Sequence, residues 1–305
     1  MQTAFIVNST AGACLDGTWL AGHVEEMRGV AGGGKVTLAK EGGEIHAAVD
    51  EAIAAKCTRI VAGGGDGTLN AVASHLVGTD IALGVLPLGT LNHFAKDAGI
   101  PVDPDAALAT ALNGDTIAVD VGEVNGRFFL NNSSLGLYPD IVRDRKRQQS
   151  RLGRGKWLAF LWATLGALRR YPFISIRLSV DGKDLVFRTP FLFIGNNKYQ
   201  MEGLDIGTRT SLDQGLLSLY VAQRTGRLGL ILLGLRALFG TLKEAKDFRT
   251  LSAREIVVET RRPRIRVSTD GEVQLLETPL NYRIHAGALK VVVPGAREEK
   301  SGNPG

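Results

Sequence analysis

The chain has 305 residues, of which 44% are hydrophobic and 22% are charged, with a formal net charge of +5. This length and hydrophobic content predict two well-buried domains and exclude a largely disordered chain. The two cysteines, Cys14 and Cys57, lack CxxC spacing and a nearby His/Cys cluster, which argues against a disulfide framework and a structural zinc site. Because the N-terminus shows no basic stretch followed by a long apolar run, we expect a cytoplasmic protein without a signal peptide.

The first hundred or so residues alternate short aliphatic runs with amphipathic stretches. This alternation is typical of a parallel sheet with crossover helices, and it predicts a Rossmann-like α/β domain over residues 1–116. The predicted strands are Ala4–Val7, Val36–Leu38, Arg59–Ala62 and Ala82–Leu86. The predicted helices are Trp19–Arg28, Glu44–Ala55, Leu69–Leu76 and Asp105–Leu112.

From about Thr116 onward the sequence changes to closely spaced strand candidates. Asn125-Gly126 and Asp181-Gly182 lie between such candidates and are typical of tight hairpin turns. We therefore expect a mostly antiparallel β domain over residues 117–295 and a flexible polar tail at residues 296–305. The predicted strands are Ile117–Val124, Arg127–Leu130, Phe173–Val180, Leu185–Thr189, Leu216–Val221, Ile256–Glu259, Arg264–Val267 and Leu289–Val293, with helical inserts at Lys156–Arg169 and Leu228–Phe239.

A glycine-rich run from Gly63 to Asn70 reads GGGDGTLN and leads from a predicted buried strand into a helix. Its glycines allow backbone N–H groups to approach an anion closely, which favours phosphate binding. The run matches neither the GxxxxGK[ST] nor the GxGxxG pattern, and Asp66 within it would repel a bare phosphate. A Mg²⁺ ion or a hydroxyl donor is then expected to intervene. A glycine cluster by itself is also compatible with a plain strand-to-helix turn.

A second segment, Leu86–Ala95, reads LPLGTLNHFA and again follows a predicted strand. It offers Thr90 and Asn92 as neutral donors at the start of a helix. Two such turns at the ends of neighbouring parallel strands would face one crevice, and this pairing favours a phosphate site over a plain turn.

GGGDGTLN followed by PLGTLNHFA resembles the diacylglycerol kinase catalytic domain, which bacterial lipid kinases share with sphingosine and ceramide kinases. Four further segments follow in the family's order, so that the resemblance covers essentially the whole chain. It implies an NAD kinase-like first domain, an active site in the cleft between the domains, and ATP-dependent transfer of a phosphate to the hydroxyl of diacylglycerol or a related lipid. The four segments are Asn131–Gly136, Gly195–Asn197, Ser211–Leu216 and Asp270–Glu272.

The resemblance also implies which residues bind the nucleotide. An Asn that ends a first strand and a Thr within a second strand are common without a ligand, so Asn8 and Thr37 have two interpretations. The ATP-binding residues that the resemblance implies are Asn8, Thr37, Gly64, Gly65, Asp66, Gly67, Thr68, Leu69, Asn70 and Thr90. Asn92, the neutral donor of the second segment, is also predicted to bind the nucleotide.

Transfer of a phosphoryl group to an alcohol needs an in-line γ-phosphate, a metal ion and a carboxylate near the hydroxyl proton. Asp270-Gly271-Glu272 is a predicted hairpin tip that could project both carboxylates, although Asp-Gly is also an ordinary type I′ turn. Similar bacterial lipid kinases use the glutamate of this turn as proton acceptor, which implies Glu272 as the catalytic base beside Asp270. Asp66 is the alternative base, as in sphingosine kinases, and otherwise organises the metal and phosphate.

The segment from Ser211 to Leu216 resembles a Mg²⁺-binding loop of some bacterial relatives. In those relatives an Asp-Gly pair occupies the position of Gln214-Gly215. A neutral amide binds a hard cation less strongly than a carboxylate does. The site is therefore either lost or rebuilt around Asp213 and backbone carbonyls. The implied metal residues are Ser211, Asp213, Gln214 and Leu216.

A basic stretch from Arg143 to Lys156 holds seven Lys and Arg residues against a single acidic residue, Asp144. The apolar run Trp157–Leu168 follows it with aromatic residues along one predicted helix face. This combination suits peripheral contact with the anionic inner face of a membrane, or else a solvated loop that leads into a core helix. We do not expect this run or Leu228–Leu242 to cross a bilayer. The sequence shows no nucleic-acid recognition motif.

Two other functions remain open from the sequence. An NAD kinase shares the Gly-Gly-Asp-Gly-Thr loop, although the PLGTLN turn and the basic, aromatic insert favour a lipid acceptor. A non-catalytic lipid-binding or regulatory protein could retain the same fold, and Gln214 is the feature in favour of that alternative. Exposed edge strands would also permit a homodimer.

Overall fold

A computed structural model describes residues 2–11, 18–136, 173–180, 182–200, 208–222 and 248–295. The chain divides into two units, residues 1–121 with 286–305, and residues 122–285. The basic stretch, both predicted helical inserts, the C-terminal tail and Cys14 lie outside the described residues. None of the helices among the described residues is long and apolar enough to span a membrane.

The first unit contains a parallel sheet in which three of the four strands are buried over most of their length. Its strands are Thr3–Asn8 (β1), Val36–Ala39 (β2), Arg59–Gly64 (β3) and Ala82–Pro87 (β4), in the order β2-β1-β3-β4. All residues of β3 and β4 are buried, as expected where helices cover both faces of a parallel sheet. The four predicted strands are confirmed.

Five helices accompany this sheet among the described residues: Thr18–Val30 (α1), Gly42–Ala54 (α2), Asp66–Leu76 (α3), His93–Asp97 (α4) and Pro104–Asn113 (α5). The start of α5 follows local sequence, because Asp103 caps it by accepting a hydrogen bond from the N–H of Ala106, and Pro104 comes next. The four predicted helices are confirmed. However, α3 begins at Asp66 and not at Leu69, so the end of the glycine-rich run forms its first turn.

The second unit is built from antiparallel strands in two sheets. The strands after β4 are Asp115–Val124 (β5), Arg127–Phe129 (β6), Asn132–Gly136 (β7), Ile174–Val180 (β8), Lys183–Thr189 (β9), Phe191–Asn196 (β10), Leu217–Ala222 (β11), Phe248–Ala253 (β12), Glu255–Thr260 (β13), Arg264–Thr269 (β14), Glu272–Glu277 (β15) and Leu280–Val293 (β16). Of these, β5 and β16 each have residues in both units. One sheet has the order β12-β11-β10-β7-β14-β15, and the other contains β16-β13-β8-β9, with β5 paired to β6 and β16.

An α/β domain followed by a mostly antiparallel β domain is the predicted fold class, and it is confirmed. The strands β7, β10, β12 and β15 and the first half of β16 were not predicted. The predicted boundary after residue 116 falls within β5, and it does not include the return of the chain to the first unit at Ala286. That return occurs because Lys290 and Val291 of β16 pair in parallel with β4.

The core of the second unit is an apolar cluster to which both of its sheets contribute. Tyr282 is a buried member whose hydroxyl lies 3.0 Å from the hydroxyl of Ser133, and burial raises the pKa of Tyr282. The pair shows how a polar residue of β7 is accommodated beside the core. Other members of the cluster include Phe129, Leu135, Leu178, Leu192, Leu219, Ile256 and Val267.

Candidate nucleotide and catalytic sites

The ends of β3 and β4 bring the two predicted loops into backbone contact. The carbonyl of Gly64 accepts a hydrogen bond from the N–H of Leu88 at 3.0 Å. A Cβ atom added to Gly89 would lie only 2.4 Å from the Cα of Gly65. Glycine at position 89 is therefore required by the closeness of the loops, and the two turns lie side by side as predicted.

The carboxylate of Asp66 joins the first loop to the second. Its two oxygens accept hydrogen bonds from the backbone N–H groups of His93 at 3.2 Å and Phe94 at 3.1 Å. These are the first two residues of α4, whose N–H groups have no acceptor within the helix. An anion at that position is favourable because helix N-termini carry partial positive charge.

The first turn of α3 contains Gly67, Thr68, Leu69 and Asn70, all predicted to bind nucleotide. The side-chain amide of Asn8 donates a hydrogen bond to the hydroxyl of Thr68 at 3.1 Å, so the end of β1 is tied to this turn. The side chain of Leu69 is fully buried and belongs to the core. By helix geometry the N–H groups of Gly67 and Thr68 have no intrahelical acceptor, which suits an anion.

Asn92 was expected to offer its side chain to the nucleotide, and the structure corrects this expectation. Its amide group donates to the carbonyls of Pro87 and Gly89, both at 3.0 Å, and its oxygen accepts from the N–H of Gly89 at 3.0 Å. Asn92 has a φ of 51° and is 6% exposed. Its side chain therefore shapes the second loop from within, while Thr90 is exposed at the surface of that loop.

The hairpin tip of the second unit turns one carboxylate inward and leaves the other exposed. Asp270 and Gly271 have φ values of 47° and 84°, as a type I′ turn requires. The carboxylate of Asp270 accepts hydrogen bonds from the N–H groups of residues 130, 131 and 132 at 2.7, 2.9 and 2.9 Å. The prediction that the turn projects both carboxylates is wrong for Asp270, whereas Glu272 is exposed.

Burial raises the pKa of Asp270 to about 6, although the three N–H donors and the guanidinium of Arg209 oppose this rise. The carboxyl group is enclosed even though the residue as a whole is only half-buried. A carboxylate in this setting organises the backbone around it.

Comparisons with known proteins show which family the chain belongs to. The model of the diacylglycerol kinase catalytic domain matches residues 2–124, and that of the YegS C-terminal NAD kinase beta sandwich-like domain matches residues 139–293. A Pseudomonas fluorescens protein described as a probable lipid kinase YegS-like is 32% identical over 280 residues, which is 89% of each chain. This chain belongs to the diacylglycerol kinase catalytic domain family.

Other relatives in the family match at similar levels. A protein of Mycobacterium tuberculosis described as a diacylglycerol kinase is 32% identical over 266 residues, or 83% of each chain. The crystal structure of a diacylglycerol kinase from Bacillus anthracis shares the fold, with a TM-score of 0.70 at 21% identity over 96% of both chains. A further solved structure from that organism gives a TM-score of 0.75 at 25% identity, covering 96% of this chain and 95% of the other.

The predicted metal loop of this family member lies before β11. The hydroxyl of Ser211 donates a hydrogen bond to the carboxylate of Asp213, which is exposed. The backbone N–H of Gln214 donates to the side-chain oxygen of Asn197 at 3.0 Å. No group of three or more His, Cys, Asp or Glu side chains suited to a metal occurs among the described residues. The loop, with Leu216 at its end, thus offers one carboxylate and a hydroxyl as oxygen donors.

Thr37 lies in β2 opposite Ile6. It lines a cavity of about 130 Å³ beneath α2, together with Ala48, Ala52 and Cys57. The walls of this cavity contain none of the residues from 63 to 70. In the same register Asn8 pairs with Ala39, two positions further along β2.

Arg209 was not predicted as part of either site. It is buried, and its guanidinium donates to the carbonyl of Leu130 at 2.7 Å and to the side-chain oxygen of Asn131 at 2.8 Å. Arg209 lies two residues before the family segment that begins at Ser211 and belongs to none of the family segments. Its burial, which is unusual for an arginine, is the feature that marks it. Sequence carries no local signal for that burial, because the partners are 78 and 79 residues away.

Proposed function

We propose that this protein is an ATP-dependent lipid kinase that transfers the γ-phosphate of ATP to the hydroxyl of diacylglycerol or a related lipid. The observation that carries the proposal is the contact between the glycine-rich loop and the second loop, made through Gly65, Gly89 and Asp66. Relatives that match most of the chain are described as lipid kinases or diacylglycerol kinases. The family and the loop geometry together support a kinase.

The nucleotide phosphates fit the start of α3. The N–H groups of Gly67 and Thr68 supply donors there, and the Asn8 amide holds the Thr68 hydroxyl in place. Thr90 is exposed on the adjoining loop and adds a neutral donor. Each of these groups binds or orients phosphate oxygens without a change in its own charge.

Mg²⁺ usually binds proteins through one or two carboxylates together with substrate phosphates. Asp213 with Ser211 provides one carboxylate and one hydroxyl, so the residues present fit a Mg²⁺ ion whose remaining ligands are water or phosphate oxygens. When bound, the ion neutralises charge on the phosphates and helps to align them.

We assign the catalytic base to Glu272. A base must reach the hydroxyl of a bulky lipid, and Glu272 is exposed at a hairpin tip that Asp270 anchors. Asp66 is less suited because both of its oxygens already accept backbone hydrogen bonds from the second loop. Glu272 would take the proton of the hydroxyl as that oxygen forms a bond to the γ-phosphorus. The bond from the γ-phosphorus to the bridging oxygen would break, and ADP would leave. Asp66 would keep the two phosphate-binding loops together.

The lipid acceptor implies contact with a membrane surface, and we propose that the contact is peripheral. This part rests on the basic stretch between Arg143 and Lys156 and on the aromatic run after it, both outside the described residues. Edge strands such as β9 and β15 would allow a homodimer.

The test compares Glu272→Ala with Glu272→Gln, using labelled ATP, Mg²⁺ and diacylglycerol in mixed micelles. Loss of a general base lowers kcat by about 10²–10⁴-fold. Binding of a non-hydrolysable ATP analogue should stay within about twofold, because Glu272 does not hold phosphate. Retained transfer in both variants would reject Glu272 as base and favour Asp66. Phosphorylation of NAD, or absence of transfer to any lipid by the wild-type protein, would reject the lipid kinase assignment.

A further inference from the structure

One peptide group in the second unit lies between a buried cation and a buried anion. The carbonyl between Leu130 and Asn131 accepts a hydrogen bond from the Arg209 guanidinium at 2.7 Å. The N–H of the same peptide group, on Asn131, donates to the Asp270 carboxylate at 2.9 Å. The dipole of the peptide thus has its negative end at the cation and its positive end at the anion. In a low-dielectric interior such a chain of bonds is mutually strengthened.

The neighbouring groups follow the same pattern, in which N–H groups bind Asp270 and oxygen atoms bind Arg209. The N–H groups of Leu130 and Asn132 also donate to Asp270, at 2.7 and 2.9 Å. The second nitrogen of Arg209 donates to the side-chain oxygen of Asn131 at 2.8 Å. The backbone N–H groups of residues 130–132 therefore all donate to Asp270, whereas Arg209 donates to oxygen acceptors of Leu130 and Asn131.

Further contacts hold Arg209 in place. Its guanidinium lies 5.7 Å above the ring of Tyr199, and the Tyr199 hydroxyl donates to the carbonyl of Asn131 at 3.0 Å. The side-chain amide of Asn196 donates to the carbonyl of Leu130 at 2.8 Å. The family segments at 195–197 and 270–272 and Arg209 thus all contact the backbone of residues 130–132, although they are far apart in sequence.

The hairpin tip depends on this arrangement. The backbone N–H of Asp270 donates to the carbonyl of Asn132 at 2.9 Å, so both the side chain and the main chain of Asp270 are fixed to the segment. Glu272 comes two residues later and pairs with Thr269 across the turn. Displacement of Asp270 would therefore move the backbone that carries Glu272.

We propose that Arg209 is a positioning residue for the kinase reaction. With Asp270 it clamps the segment Leu130–Asn132 from two sides and thereby fixes the hairpin tip that presents Glu272. The inference rests on the proposed function, in which Glu272 is the base. Asp270 shares the positioning role, since its oxygens are used by the backbone and not by substrate.

The experiment compares Arg209→Gln and Arg209→Lys with wild type in the micelle assay with labelled ATP. Misplacement of a catalytic group by about 1 Å costs on the order of 10²-fold in rate, so Arg209→Gln should lower kcat by roughly 10- to 100-fold. The KM for ATP should stay within about twofold, because the nucleotide loops lie in the other unit. Arg209→Lys keeps the charge but loses the fork geometry, and it should recover part of kcat. Arg177→Gln, an exposed arginine of β8, is the matched control and should leave kcat unchanged.

The Glu272→Gln background separates positioning from general structural damage. If Arg209 acts through Glu272, Arg209→Gln should change the residual rate of Glu272→Gln by less than about twofold. An equal fold-loss in both backgrounds, or a loss confined to the KM for ATP, would overturn the proposal. Thermal unfolding of each variant sets the assay temperature, and Arg209→Lys carries the test if Arg209→Gln fails to fold. An active wild type with an inactive Glu272→Gln and a fully active Arg209→Gln would reject this inference alone.

Discussion

Replacing Asn92 by alanine should destabilise the protein and disturb the second loop. The side chain makes three hydrogen bonds to Pro87 and Gly89 and is 6% exposed, so alanine leaves these backbone groups without partners. Each lost bond costs about 0.5–1.5 kcal/mol, or about 1.5–4.5 kcal/mol together. Alanine at the observed φ of 51° adds about 1 kcal/mol. We expect a loss of about 2.5–5.5 kcal/mol in the free energy of unfolding.

Asn92→Gly is the matched control, because glycine adopts positive φ without strain but also lacks the side chain. It should be more stable than Asn92→Ala by about 1 kcal/mol, and the remaining loss then measures the three hydrogen bonds. Urea unfolding followed by circular dichroism gives both values, and binding of an ATP analogue reports on the loop. If both variants lose less than about 1 kcal/mol and bind the analogue as wild type does, the side chain does not hold the loop.

Two further predictions concern Gly89 and Asp270. Gly89→Ala would place a Cβ 2.4 Å from the Cα of Gly65, so the two loops must separate. The KM for ATP should then rise at least about tenfold. Gly29→Ala is the control, because a Cβ at Gly29 meets nothing within 4 Å, and it should leave the KM for ATP unchanged. Asp270 keeps its proton in the folded state up to a pKa of about 6 against 3.8 when unfolded, so its contribution to stability is greatest below the lower value and is lost as the pH rises through the upper one. The free energy of unfolding should therefore fall by up to about 3 kcal/mol between pH 4 and 7, as measured by urea unfolding. Asp270→Asn should not show this fall. Parallel plots of the free energy of unfolding against pH for wild type and Asp270→Asn would contradict the prediction.

The first unit was predicted almost completely because its strands are aliphatic runs and its helices carry a regular apolar face. In α2, for example, the buried residues Ile45, Ala48, Val49 and Ala52 recur at helical spacing. The error at α3 has a clear cause, since glycines have low helix propensity and hid the start at Asp66.

The second unit was predicted less well because its edges and polar strands depend on distant partners. β7 reads NSSLG, which has little intrinsic preference for a strand. It forms one because it lies between β10 and β14, and buried Ser133 gains Tyr282 as a partner. In the same way the inward turn of Asp270 is set by N–H groups 138–140 residues away. No local pattern could have shown it.

The position of Asp66 answers a question that the sequence raised. A carboxylate within a phosphate-binding loop would repel its ligand, and a metal or hydroxyl was expected to screen it. Instead, the carboxylate meets the N–H groups of His93 and Phe94 at the start of α4, where an anion is stabilised. The charge is thereby used to hold the second loop against the first, at the place where Gly65 and Gly89 touch. Asp66→Asn should therefore weaken nucleotide binding, because the two loops separate. Like Gly89→Ala, it should mainly raise the KM for ATP, whereas Glu272→Gln should mainly lower kcat.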